Sequence, residues 1–154
     1  MICPLWLTER SFARILPLCQ ISNMRFLGID YGLKKIGLAI GDNEVKIASP
    51  LFTIVNNGNE AFFGELEKII ESEDIGGLVI GVPRSVGTFH SDEQLQITGD
   101  FIEKLRRRFN LPVFEIDESF TSRESQRLQK EEGAIADEDS LAAMIILQAF
   151  LDSN

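Results

Sequence analysis

Three carboxylates stand where their neighbours call for apolar side chains: Asp30, Glu118 and Asp139. Met24-Arg25-Phe26-Leu27-Gly28-Ile29-Asp30 reads as a strand, and alternation puts Phe26, Gly28 and Asp30 on one face. The same count groups Phe114, Ile116 and Glu118 on one face of a strand over 113–118. In the last apolar segment, Ala142, Ile145, Ile146, Ala149 and Phe150 follow the helical template for a buried stripe. Asp139 extends that stripe at its N-terminal end, next to the small Ala142 and Ala143, which let the helix sit close to a sheet. Singly, each acid has a plain reading: a strand-end turn, a loop carboxylate, a favourable charge at a helix N-terminus. Held together, they repel one another unless a cation sits between them. Oxygen ligands without His or Cys select a hard ion, Mg²⁺ or Mn²⁺. Such ions act on phosphates, so the three acids point to metal-dependent phosphodiester chemistry.

The elements that must position them are legible in outline. Residues 25–31 and 36–42 are apolar runs joined by Gly32-Leu33-Lys34-Lys35, a hairpin signal. Residues 45–54 form a third strand, confined by Pro50 to an edge or a bend. Phe62, Leu66, Ile69 and Ile70 lie at helical spacing in 60–72. Ile75 to Val82 is apolar without alternation, the mark of a parallel strand covered on both faces. Ser91-Asp92-Glu93-Gln94 is a capping box opening a helix that buries Phe101, Ile102, Leu105 and Phe109. Thr121-Ser122-Arg123-Glu124 is a second capping box, and Asp137 is placed to cap the last helix through Leu151. A meander followed by strands alternating with helices predicts an α/β domain, a mixed sheet with helices on both faces.

With 154 residues, the chain has room for one domain with a core of its own. Residues 1–23 read as a poorly ordered extension, of the kind an upstream start codon adds, and 24–154 as the domain. Glu9, Arg10 and Arg14 interrupt any signal-peptide core there, and no stretch suits a membrane-spanning helix. Cys3 and Cys19 are the only cysteines, which excludes a disulfide framework or a cysteine-based zinc site and makes a reducing cytoplasm the default. The net charge of −9 argues against nonspecific wrapping of nucleic acid, so any phosphate must be held locally. The Arg106-Arg107-Arg108 cluster reads as a solvated helix end. His90, the single histidine, reads as a polar loop residue and not as a base.

Gly28-Ile29-Asp30-Tyr31-Gly32 with Lys35-Ile36-Gly37-Leu38-Ala39 resembles the first motif of the YqgF family, also called RuvX-type resolvases. Ile80-Gly81-Val82-Pro83 resembles its second motif, Asp117-Glu118-Ser119-Phe120-Thr121-Ser122 its third, and Asp139-Ser140-Leu141-Ala142-Ala143 its last. The match runs from about Met24 to Asp152. The resemblance implies a ribonuclease H-like fold with a mixed five-stranded sheet and Asp30, Glu118 and Asp139 as the acidic catalytic and metal-holding positions. It implies a bacterial cytoplasmic nuclease acting at the 5′ end of the 16S ribosomal RNA precursor. The older label of the family, Holliday junction resolvase, makes branched DNA the alternative substrate, and the acidic charge leaves room for a noncatalytic RNA-binding module. Asp30-Tyr31-Gly32 also resembles the phosphate loop of the actin and sugar-kinase superfamily, but the second such loop and the length for two domains are missing. The chain departs from the family at Ser119-Phe120, where an Arg-Leu pair is common, and at Gly41, where Ser is frequent. Lys34, Lys35, Arg84 and Arg123 are the expected phosphate contacts, with monomer and homodimer both open.

Overall fold

The computed structural model describes residues 23–58, 60–83, 91–117 and 137–154. The expectations for residues 1–22, for Arg84, His90, Glu118 and Arg123, and for the capping box at Thr121 lie outside the described residues.

Five strands form one sheet: β1 (Arg25–Tyr31), β2 (Lys35–Asp42), β3 (Ser49–Val55), β4 (Ile75–Val82) and β5 (Val113–Asp117), in the order β3-β2-β1-β4-β5. The first three make the expected antiparallel meander, while β4 pairs parallel with β1 and β5 parallel with β4. Helices α1 (Glu60–Ser72), α2 (Ser91–Arg108) and α3 (Glu138–Ser153) complete the described fold.

Alternation along the strands divides the core into two layers. Leu27, Ile29, Ile36, Leu38, Leu78 and Ile80 pack with Phe62 and Leu66 of α1 and Phe101, Ile102 and Leu105 of α2. On the opposite face, Phe26, Ala39 and Val79 pack with Ala143, Ile146, Leu147, Phe150 and Leu151 of α3. Phe26, Phe114 and Phe150 meet edge-on or tilted, with centroids 4.8–6.1 Å apart.

Two details differ from the sequence reading. The third strand begins at Ser49, four residues later than its apolar pattern suggests. Asp42 is the cause: its Oδ1 accepts from the amides of Glu44 and Val45, its carbonyl accepts from Lys46, and Lys46 takes a φ of 58°. Val45 and Ile47 are thereby left exposed. The buried stripe of α3 is also turned by one position, with Ala143 and Leu147 fully buried and Ala142 and Ala149 half-buried.

α3 lies on the sheet over glycine. A Cβ built on Gly28 would stand 2.7 Å from Leu147 Cβ and 2.9 Å from the carbonyl oxygen of Ala143. At the far end, Gln148 accepts from the Ala48 amide and donates to the Lys46 carbonyl, fixing the helix along its axis. Gly28→Val should therefore cost about 1–3 kcal/mol of stability by overpacking. Gly64 in α1 has nothing within 4 Å of the corresponding position. Gly64→Ala should raise stability by about 0.5–1 kcal/mol, and urea denaturation of both variants checks the pair.

Candidate functional site

The site is assembled where β1 ends. Asp30 is the penultimate residue of β1 and sits on the α3 face, two positions after Gly28. Its register partner across the hairpin is Gly37 of β2. A Cβ built on Gly37 would run into the backbone carbonyl of Asp139 and lie 2.8 Å from the Ser140 amide nitrogen. The first turn of α3 thus rests directly on the strand position facing Asp30. No residue but glycine leaves room for it there.

That turn is closed from within. Asp137 occupies the N-cap position with extended backbone (φ −63°, ψ 144°), but its side chain makes no capping hydrogen bond. Its carbonyl instead accepts from Ser140 Oγ at 2.8 Å and from the Leu141 amide at 3.0 Å. Ser140 is buried, and its hydroxyl bond secures the turn that carries Asp139. Asp139 is half-buried, and the positive end of the helix dipole faces the same region. Thr53 of β3 pairs with Gly37 from the other side. Its buried Oγ1 has no hydrogen-bond partner among the described residues.

Of the three acids singled out by sequence, the structure therefore brings Asp30 and Asp139 to one place. Glu118 follows Asp117, the last residue of β5 and the register partner of Val82 at the end of β4. Among the described residues no group of three or more His, Cys, Asp or Glu could hold a metal ion. The donors that are described are carboxylate and hydroxyl oxygens, which suit a hard divalent cation. No helix of the described residues is long and apolar enough to cross a membrane.

Lys34 and Lys35 are exposed on the turn beside Asp30. Lys35 opens β2 two residues before Gly37, so it belongs to the α3 face. The turn is held by a residue that the sequence pattern did not reveal. Asn56, just past β3, donates from Nδ2 to the Gly32 carbonyl and from its amide to the Lys34 carbonyl, both at 2.8 Å. A Cβ at Gly32 would clash with the Lys35 carbonyl, so this turn too depends on glycine. Asn56 carried no local signal because its two bonds reach 22 and 24 residues back along the chain. The arginine cluster behaves as a helix end: Arg106 pairs with Glu115 at 3.0 Å and Arg108 with Glu60 at 2.7 Å.

Several proteins of similar sequence share one description. Proteins named "Putative pre-16S rRNA nuclease" from Oleidesulfovibrio alaskensis and Thermoanaerobacter pseudethanolicus are 37% and 36% identical, each over 84% of this chain and 92% and 97% of their own length. One of the same name from Rickettsia africae is 34% identical over 94% of both chains. Among solved structures, T. thermophilus RuvC in complex with a Holliday junction substrate aligns with a TM-score of 0.53 over 84% of this chain and 94% of its own, at 12% identity. The shared fold is the ribonuclease H-like one that the sequence motifs implied. The model of the RuvX family, described as Holliday junction resolvase, matches residues 24–153, and the chain belongs to that family.

Proposed function

We propose that this protein is a divalent-metal-dependent nuclease that processes the 5′ end of the 16S ribosomal RNA precursor in the cytoplasm. Asp30, Glu118 and Asp139 hold Mg²⁺ or Mn²⁺ in this reading. The observation that carries it is the seat of Asp139 on Gly37, directly across the hairpin from Asp30. In this reading the two carboxylates meet at the end of the central strand, where they repel unless a cation lies between them. The name of the curated relatives supports ribosomal RNA as the substrate.

A bound divalent cation supplies the positive charge that stabilises a phosphodiester under attack. The chain supplies the rest. The rigid strand and the helix turn keep Asp30 and Asp139 in fixed relation, so that substrate binding need not order them. In this reading Lys35, on the same face, holds a phosphate next to the carboxylates, with Lys34 beside it on the turn that Asn56 bonds. Arg84 and Arg123, which follow β4 and β5 in sequence, extend the cationic rim in this reading. In a chain of net charge −9, that local rim is what gives a polyanion a foothold.

Cleavage of labelled precursor ribosomal RNA, single strands and four-way DNA junctions in Mn²⁺ tests the reading. Cutting of the precursor near its 5′ end supports it, and cutting confined to junctions replaces it with resolvase activity. Asp30→Asn, Glu118→Gln and Asp139→Asn should each abolish cleavage while leaving metal-free thermal melting unchanged or raised, because a repulsion is removed. Normal cleavage by these variants would refute the assignment. Lys35→Ala and Arg84→Ala should weaken substrate binding and lower the slope of its salt dependence by about 0.7–0.9 per lost contact. An unchanged slope would take both residues out of the substrate site.

A further inference from the structure

On the opposite face of the sheet, the residue after Asp30 enters a different environment. Tyr31 stacks on Phe101 of α2 with centroids 4.2 Å apart and planes 23° from parallel. Phe101 in turn faces Phe63 of α1 at 6.3 Å and 29°. Phe101 is buried, whereas Tyr31 and Phe63 are half-buried and line a recess of about 140 Å³ together with Asn56 and Asp100. Past Gly58 and Phe63 the recess continues into a wider groove of about 580 Å³ bordered by Glu60, Lys104, Arg107 and Arg108.

The charges along this groove are unlike those of the chain as a whole. Arg108 pairs with Glu60, and Arg106, in the same last turn, pairs with Glu115. Among the described residues Lys104 and Arg107 have no ion-pair partner, and both are exposed. An aromatic recess that runs out between two uncommitted cations is the combination that binds unpaired nucleotides, bases on rings and phosphates on cations. Asp100 can only accept hydrogen bonds when ionised, so it suits the exocyclic amine of a base and turns phosphates toward Lys104 and Arg107.

We propose that this groove holds an unpaired base of the nucleic acid and its adjoining phosphates, as a second substrate contact beside the carboxylate site. The inference rests on the nuclease reading for the identity of that strand. Its position follows from continuity: Asn56 lines the recess and also pins the Gly32–Lys35 turn beside Asp30. Asp30 and Tyr31 are consecutive and emerge on opposite faces of β1, so one strand passing over the end of the sheet reaches both. A duplex keeps its bases stacked on each other and cannot enter the recess, so the contact selects single-stranded flanks.

Fluorescence anisotropy of the full chain tests this in EDTA, where no metal-dependent cutting intervenes. The probes are a labelled unstructured oligoribonucleotide and a labelled RNA hairpin with few unpaired residues. Phe63→Leu should weaken binding of the single strand about tenfold, the loss of one stacked base, and leave the hairpin little changed. Lys104→Glu, a surface change that does not threaten folding, should weaken the single strand as well and lower its salt slope by at least about 0.7. Equal single-strand affinity for wild type and both variants overturns the groove, whatever the cleavage assays give. Weakened binding by both variants supports it even if the wild type cuts no nucleic acid, an outcome that would sink the nuclease reading alone.

Discussion

The fold turns on how closely α3 approaches the sheet. Ordinary packing of a helix on a sheet leaves side chains between the two backbones. Here the backbone of α3 itself comes down on β1 and β2, because Gly28 and Gly37 remove the Cβ atoms that would hold it off. At Gly28 the approach buries Ala143 and Leu147, a packing gain. At Gly37 it brings a polar helix start, Asp139-Ser140, onto a strand position opposite an acid. In that second contact the buried Ser140 hydroxyl is satisfied within the turn, by the Asp137 carbonyl.

The remaining architecture can be understood as holding that contact in place. The meander sets Gly37 opposite Asp30 by register, so a slip of one residue would send Gly37 to the other face and close the seat. Gln148 and the Asp42 turn lock the C-terminal half of α3 against the β2–β3 connection. The aromatic layer on the other face, with Leu27 and Ile29 buried under α1 and α2, makes β1 rigid from behind. An acid at the end of a strand buried on both faces has little freedom to move, which is what a preorganised site requires.

Much of this was legible in the sequence, and what was not has specific causes. Strand β4 runs over the same residues as its apolar pattern, since a parallel strand buried on both faces has little else to be. The faces of Asp30 and Gly28 followed from alternation alone. The orientation of α3 did not: from Ala142 to Leu151 nearly every residue is apolar, so a periodic template fits two neighbouring phases almost equally. The late start of β3 reflects a side-chain turn at Asp42 overriding the apolar Val45 and Ile47. Asn56 and the seat at Gly37 are contacts between distant segments, and local pattern carries no trace of them.

A double-mutant cycle on Asp30 and Asp139 tests the central claim most directly, because it measures whether the two carboxylates feel each other. Metal-free melting at low ionic strength would be compared for the wild type, Asp30→Asn, Asp139→Asn and the double variant. If Gly37 seats Asp139 against Asp30, either single change already relieves the repulsion and the double adds little. The cycle should then show a coupling of about 0.5 kcal/mol or more. Strictly additive effects would mean that the two acids do not share a site.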